Sequence, residues 1–213
     1  MIIGLVIPDK GGRGLFLNQS LQMIKRQTLQ PHFINLVDEE TDLKTDITYR
    51  YRVGIEQLKE AGCDVILFWE NDDYYSKDYI KTMIREWKKA GKPLLFGIGQ
   101  TVYYHLKLKK YSVLKHKDRA SAMSTMIHKD LFIDYPKDDE KFFDLSLWKN
   151  GIGKTFVPTK NINIGIKHGV GLVGGKGHSV EFRYDNEDND LKYLRKNTDK
   201  ETCNFYKFLM ASL

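Results

Sequence analysis

Three acidic side chains and one amide follow one another at Glu70-Asn71-Asp72-Asp73, directly after the apolar segment Val65–Trp69. Adjacent carboxylates repel one another unless a cation or a base neutralises them. Carboxylate oxygens are hard ligands that suit Mg²⁺ or Mn²⁺, and these ions are often shared with substrate phosphates. The cluster therefore predicts a divalent-metal site. The alternative is a solvated turn in which one of the two aspartates caps the next helix.

The loop Asp9–Gly14 (DKGGRG) has the composition of a phosphate-binding turn. Its glycines let backbone N–H groups approach an anion closely, and Arg13 adds a positive charge where the next helix begins. The loop is not the dinucleotide-binding fingerprint, because the third position after Gly14 is Leu17 rather than glycine. An ordinary turn between a strand and a helix is the alternative.

A second glycine-rich segment, Lys167–His178, contains five glycines, two lysines and two histidines. This composition predicts a lid that orders over an anionic ligand and contacts it through Lys176 and His178. The segment is not a Walker A loop, since Val170 stands where that motif requires glycine. The alternative is a glycine-rich surface loop without a ligand.

Asp144 lies among apolar residues in the segment Phe142–Trp148. A carboxylate in such surroundings can have a raised pKa and act as a general base. An aspartate at the start of a helix can equally be its cap. The sequence leaves both roles open.

The predicted secondary structure would bring the polar loops of the first hundred residues together. Apolar runs predict strands at Ile2–Ile7, His32–Val37, Asp64–Trp69 and Lys92–Gly99, of which the first and the third are expected to be buried. Helical patterns lie between them, and this alternation predicts a parallel sheet with helices on both faces. Ligands of such sheets bind beyond the carboxyl ends of the strands, where the polar segments Asp9–Gly14, Asp38–Glu40 and Glu70–Asp73 would lie.

The second half of the chain has a different pattern. Val102–Val113 alternates apolar and basic residues, which indicates an antiparallel hairpin, whereas Ser121–Phe132 is ambiguous. Thr155–His168 is predicted to be a strand, and Thr198–Leu213 an amphipathic helix. No linker separates the two halves, so we expect one mixed α/β domain over residues 1–213.

Composition limits the class of protein. The 213 residues are 41% hydrophobic and 29% charged, which excludes a disordered or collagen-like chain. The longest apolar run is far shorter than the ~20 residues that span a bilayer, and the first residues lack a signal-peptide pattern. Two cysteines exclude a disulfide scaffold and favour a reducing cytoplasm. The net charge of +6 favours an anionic partner, although a solvated basic surface explains it equally well.

The order of these motifs resembles the GT-A glycosyltransferases, especially the large inverting family of bacterial polysaccharide synthases. As in that family, the first strand ends in Val6–Pro8 and the next helix in Arg26–Thr28. Asp38 stands where the family reads the nucleotide base. Glu70–Asp73 stands where the family has its D-x-D-D signature, although the first acid is glutamate here. The resemblance covers about residues 1–170.

Two further positions extend the resemblance into the second half. The segment Phe143–Trp148 keeps the Asp, Leu and Trp of the family's catalytic helix but lacks its Glu, which implies that Asp144 is the catalytic base. His168 stands at the end of a later strand, where the family places a histidine near the metal or the diphosphate.

The resemblance implies a GT-A-like fold, with a mostly parallel central sheet, flanking helices and a small antiparallel element. It implies a metal-dependent enzyme that transfers a sugar from a nucleotide diphosphate sugar, such as a UDP-sugar, to an acceptor hydroxyl with inversion. Residues 1–100 would bind the donor, 101–180 the acceptor, and 181–213 would form a tail and a helix. Mn²⁺ or Mg²⁺ would be held by Asp72, His168 and Glu70. The nucleotide would contact Pro8, Lys10, Arg13, Asp38 and Asn71.

Two other functions remain open. The segment Gly11–Leu15 faintly resembles the GGxGxRL loop of sugar nucleotidyltransferases, but its arginine is misplaced. The basic bias would suit a non-catalytic nucleic-acid-binding module, but no known motif of that class is present. The acceptor cannot be read from the sequence, and modified bases in DNA are one candidate.

Overall fold

The computed structural model describes residues 1–169 and 184–212, which form two β-sheets with helices packed around them. The strands are β1 (Ile3–Pro8), β2 (Phe33–Val37), β3 (Val65–Phe68), β4 (Tyr74–Tyr75), β5 (Leu95–Ile98), β6 (Gln100–His105), β7 (Lys110–Lys115), β8 (Thr125–His128), β9 (Lys154–Phe156), β10 (Asn163–Lys167) and β11 (Asn186–Glu187). The helices are α1 (Gly14–Lys25), α2 (Ile47–Glu60), α3 (Tyr79–Lys89), α4 (Phe143–Trp148), α5 (Lys192–Asn197) and α6 (Lys200–Ser212).

The first sheet has the strand order β2-β1-β3-β8-β5-β9. β1 is parallel to both β2 and β3, as the alternation of strands and helices predicts, and β5 is parallel to β9. β8 lies between β3 and β5 and is antiparallel to both. This strand comes from the segment 121–132 that the sequence leaves ambiguous, and it makes the sheet mostly rather than wholly parallel.

The second sheet has the order β11-β7-β6-β10-β4. β6 and β7 form the predicted antiparallel hairpin, with Gln100 opposite Lys115 and His105 opposite Lys110. β10 runs parallel to β6 and antiparallel to β4. The carboxyl end of β10 carries Lys167 and His168 to the loop that follows β3.

One predicted strand is divided in the structure. Thr155–His168 is not one strand but parts of β9 and β10, which belong to different sheets; Pro158 lies between them and cannot donate to a ladder. The predicted helix over 198–213 is α6, which begins two residues later at Lys200 and follows a separate short helix, α5. The α5 helix ends because Thr198 is extended, and Asp199 then accepts a hydrogen bond from the backbone N–H of Thr202.

The core is built on the apolar runs. Every residue of β1 and β3 is buried, as expected for strands covered on both faces. Helix α2 packs closely on this sheet at Gly54, where an added Cβ would lie 2.4 Å from Cγ2 of Val6. Burying each large apolar side chain contributes about 1.5–3 kcal/mol, so these strands hold the loops at their carboxyl ends rigidly. Within the described residues, no helix combines the length and apolar character needed to cross a membrane.

Candidate active site

Three carboxylates meet in the loop after β3. Glu70, Asp72 and Asp73 each offer an oxygen, and these oxygens lie within 4.8 Å of one another. The loop follows a strand buried on both sides, which fixes where the chain leaves the sheet. The structure thus brings together Glu70 and Asp72, two of the predicted metal ligands, and adds Asp73 to them.

Asp72 is the point at which three distant segments converge. Its Oδ2 accepts a hydrogen bond of 2.6 Å from Nη1 of Arg13 and one of 3.1 Å from Nε2 of His168. Burial raises the pKa of Asp72, but the hydrogen bond from His168 and the charge of Arg13 outweigh it and hold that pKa well below its usual range. The carboxylate is therefore ionised at neutral pH.

His168 is itself held firmly. Its side chain is buried, and its ring packs on the ring of Phe16 with the centroids 4.3 Å apart. Because Phe16 belongs to α1 and His168 follows β10, this contact joins the first helix to the second sheet beside Asp72.

Asp73 has a different role from its neighbour. Its side chain is buried, and Oδ1 accepts a hydrogen bond of 2.7 Å from the backbone N–H of Ile166 in β10. Burial and the charge of Asp72 raise the pKa of Asp73 well above its usual value. Asp73 therefore fastens the acidic loop to the strand that carries His168.

We expect Asp73→Ala to destabilise the protein by about 1–3 kcal/mol, because the buried N–H of Ile166 would lose its acceptor. Asp73→Asn keeps an acceptor oxygen and should recover most of that loss. Urea unfolding of the two variants and the wild type measures the difference. Equal stability of Asp73→Ala and the wild type would contradict this role.

Lys167 is a site residue that sequence analysis does not single out. Its Nζ lies 5.0 Å from the ring centroid of Tyr103. Burial lowers the pKa of Lys167, but the charges of Asp73, Asp72 and Glu70 more than compensate, so the pKa is raised and the ammonium stays charged. In the sequence it is only the first residue of the glycine-rich segment Lys167–His178, beside His168 at the end of a strand. Lys167 thus supplies a second cation to the acidic cluster, after Arg13.

Glu70 and Asn71 face different neighbours. Oε1 of Glu70 accepts a hydrogen bond of 2.8 Å from the hydroxyl of Tyr51, and burial raises the pKa of this carboxyl. The Nδ2 of Asn71 donates to Oδ1 of Asp9 at 2.7 Å, while its buried Oδ1 has no hydrogen-bond partner among the described residues. Leaving a buried hydrogen-bond acceptor unpaired costs free energy. A ligand hydroxyl or N–H that donated to this oxygen would recover that cost.

The loop after β1 lies beside this cluster. Pro8 ends β1 and is buried, and the next residue, Asp9, accepts hydrogen bonds from Asn71 and from the backbone N–H of Gly11. Gly11 and Gly12 have φ angles of +81° and +71°, a region that favours glycine. Gly11 and Gly12 are therefore needed for the backbone conformation that leads the loop towards Asp72.

Lys10 and Asp38 lie on the side of the site near β2. Lys10 Nζ donates to the backbone carbonyl of Lys44 at 3.0 Å, which directs it towards the loop between β2 and α2. Asp38 follows β2 and is exposed. The buried Arg50, which sequence analysis misses, donates to the carbonyls on either side of Asp38, at Val37 (2.8 Å) and Glu39 (2.9 Å). Arg50 thereby fixes the backbone that presents Asp38.

Asp144 lies in the first turn of α4, but Phe142 is the N-cap of that helix. Its Oδ2 lies 3.6 Å from Nη1 of Arg119, and the side chain is 15% exposed. Burial raises the pKa of Asp144, and the charge of Arg119 partly opposes the rise. The charge of Asp144 also contributes to the raised pKa of Glu70. These surroundings suit a general base.

The predicted lid residues Lys176 and His178 lie outside the described residues. The structure therefore reaches only the first residues of that segment, Lys167, His168 and Gly169.

Comparison with known proteins identifies the fold. The sequence matches no protein-family model and no curated protein. The structure is similar to a fragment of S. aureus TarS in complex with UDP-GlcNAc, with a TM-score of 0.58 and 13% identity over 78% of this chain and 59% of that one. The same fragment in complex with UDP has a TM-score of 0.52 and 14% identity over 78% of this chain and 60% of that one. A197 from STIV has a TM-score of 0.50 and 13% identity over 74% of this chain and 82% of that one.

These similarities and the sheet order define a GT-A-like fold, which confirms the fold class predicted from the sequence. The chain spans about three fifths of the TarS fragment. At these identities the similarity concerns the fold, and the chemistry has to be argued from the residues of this chain.

Proposed function

We propose that this protein is a metal-dependent glycosyltransferase, which moves a sugar from a nucleotide diphosphate sugar to an acceptor hydroxyl with inversion. The observation that carries the proposal is the convergence of Arg13, His168 and the acidic loop on one ionised carboxylate, Asp72. This convergence lies at the carboxyl ends of strands, where α/β sheets bind ligands. TarS, which shares the fold, has been captured with UDP-GlcNAc and with UDP.

A divalent cation fits the donor set of this site. The loop offers three carboxyl groups whose oxygens lie within 4.8 Å of one another, and Asp72 among them is ionised. Oxygen ligands of this kind suit Mg²⁺ or Mn²⁺. Asp72 would be the principal ligand, with Glu70 and His168 beside it. When bound, the cation would stabilise negative charge on the departing diphosphate.

The donor would occupy the half of the chain formed by residues 1–100, and the acceptor the half formed by 101–180. Asp38 would recognise the base, while Pro8, Lys10 and Asn71 would contact the nucleoside. Arg13 would meet the diphosphate, and Lys176 and His178 would cover it. The nucleotide is anionic, which is consistent with a chain of net charge +6.

In the reaction, Asp144 would take the proton of the acceptor hydroxyl as that oxygen attacks the anomeric carbon. The bond from this carbon to the diphosphate oxygen breaks on the opposite face, and the electron pair leaves with the nucleoside diphosphate. Arg13 and Lys167 would supply positive charge near the leaving group. Preorganised charges of this kind contribute several kcal/mol to catalysis in comparable sites, or about 10²–10³-fold in rate.

A panel of nucleotide sugars, incubated with the protein and Mn²⁺, tests the proposal. Release of a nucleoside diphosphate, alone or with added acceptors including DNA, is the expected result. Formation of a nucleoside triphosphate and a sugar 1-phosphate from a nucleotide sugar and pyrophosphate would indicate a nucleotidyltransferase instead. Binding of DNA without turnover of any donor would favour a non-catalytic module. The compartment we propose is a reducing cytoplasm, in keeping with the free and buried Cys63 and Cys203.

The pH dependence of transfer should report the pKa of Asp144. A base must be deprotonated, so activity should fall as the pH falls through this pKa, which burial has raised above the ordinary aspartate value. Arg119→Gln removes the opposing charge, and we expect the acid limb of the kcat/KM profile to move to higher pH. The control is Arg85→Gln, which alters an exposed pair with Glu86. An acid limb that stays in place in Arg119→Gln would contradict the assignment.

A further inference from the structure

The carboxylate proposed to bind the metal already has a strong cationic partner. Nη1 of Arg13 donates to Oδ2 of Asp72 at 2.6 Å, and Nε2 of His168 donates to the same oxygen. The side chains of Arg13 and Asp72 are only 18% and 12% exposed. A charge-assisted hydrogen bond that is largely shielded from water is weakly screened by salt. Arg13 therefore satisfies the charge that a divalent cation would otherwise neutralise.

A metal ion and this guanidinium oppose each other at Asp72. A cation that bound the carboxylate would stand beside a second positive charge, and like charges at such distances repel strongly in a partly buried site. The free protein should consequently hold a divalent cation weakly, even though three carboxylates are grouped there.

Arg13 is also well placed to accept a different partner. It is the N-cap of α1 and follows Gly11 and Gly12, whose added Cβ atoms would meet nothing within 4 Å. Its Nε is buried and has no hydrogen-bond partner among the described residues. A guanidinium has five N–H donors in a planar fork that matches phosphate oxygens, so a diphosphate would satisfy more of them than one carboxylate oxygen does.

We propose that Arg13 competes with a divalent cation for Asp72, and that the diphosphate of the donor relieves this competition by binding the guanidinium. This inference rests on the proposed function and adds a consequence to it: the metal and the donor bind cooperatively. Coupling between two sites is reciprocal, so the nucleotide must strengthen metal binding by the same factor as the metal strengthens nucleotide binding. Arg13 is thus a positioning residue that links the two events.

The direct test uses the metal alone. Binding of Mn²⁺ to the full chain, without nucleotide, is measured by the electron paramagnetic resonance signal of free Mn²⁺. We expect Arg13→Gln to bind Mn²⁺ about tenfold more tightly than the wild type, within the 5–150-fold range usual for coupled sites. Lys10→Gln makes the same change in charge within the same loop, but its amine contacts the Lys44 carbonyl, and its affinity should stay near the wild-type value.

Two further variants locate the effect. Arg13→Lys keeps the charge, so its affinity for Mn²⁺ should remain close to that of the wild type. The double variant Arg13→Gln/Asp72→Asn should not show the tighter binding of Mn²⁺, because it lacks the carboxylate for which the metal and Arg13 compete. If Arg13→Gln binds Mn²⁺ no more tightly than Lys10→Gln, or if the gain survives in the double variant, the competition does not exist.

A titration of UDP in the presence and absence of Mn²⁺ measures the coupling between the nucleotide and the metal. The wild type should show strong coupling between the two ligands, and Arg13→Gln weaker coupling. Equal coupling in the two proteins would overturn the proposal. If no nucleoside diphosphate binds to the wild type under any condition, the proposed function fails, while the comparison with Mn²⁺ alone still decides whether Arg13 competes with the metal.

Discussion

Asp144→Asn is expected to slow transfer by roughly 10²–10⁴-fold, the usual contribution of a general base, while donor affinity stays at the wild-type value. Asparagine keeps the shape of the side chain but cannot accept the proton of the acceptor hydroxyl. Burial already disfavours the charged form of Asp144, so its replacement should leave thermal stability unchanged or slightly higher. The loss should therefore appear in kcat alone.

Single-turnover transfer by Asp144→Asn, together with calorimetric titration of the donor, measures both expectations. Asp134→Asn is the matched control, because this aspartate precedes the same helix and is exposed. If Asp144→Asn retains transfer within about tenfold of the wild type, less than a general base supplies, then Asp144 is structural and the base lies elsewhere. Asp139 and Glu140 would be the next candidates.

Asp72→Asn is expected to abolish the dependence of donor binding on Mn²⁺. Loss of a residue that merely supports a metal ligand costs about 10–100-fold in metal affinity, so loss of the principal ligand should cost at least about 100-fold. Thermal stability should change little, because the residue lies beyond the end of a strand and asparagine can still accept the hydrogen bond from Arg13.

Calorimetry of UDP binding with and without Mn²⁺ provides this measurement. Asp73→Asn is the informative comparison, since it alters the adjacent carboxylate, which holds the Ile166 N–H. Its effect on Mn²⁺-dependent binding should be much smaller. Unchanged metal-dependent binding in Asp72→Asn would remove Asp72 from the metal site.

The sequence predicts the first sheet well because its strands are continuous apolar runs separated by helical patterns. β8 (Thr125–His128) escapes prediction because polar residues stand at both of its ends, and its place between β3 and β5 is set by tertiary pairing. The division of Thr155–His168 between two sheets is likewise set by tertiary pairing, because β9 pairs with β5 and β10 with β6. Periodicity reports which residues are buried, and it does not report which sheet buries them.

The candidate site shows a similar limit. Local spacing suffices to select the acidic loop and Arg13, because each lies directly after a predicted strand. The contact between Asp72 and His168 joins residues 96 positions apart and depends on the register of β10 with β6. Lys167 and Arg50 could not be selected, because their roles arise from burial beside carboxylates and carbonyls that the fold brings to them.

The central claim is that a divalent cation and a nucleoside diphosphate meet at Asp72. Crystals of the protein grown with UDP and Mn²⁺, measured at a wavelength where manganese scatters anomalously, test it most directly. We predict one anomalous peak bonded to the Asp72 carboxylate and to the diphosphate, with Arg13 turned from Asp72 to the phosphate oxygens. A manganese peak elsewhere, or UDP bound away from the loop after β3, would contradict the account.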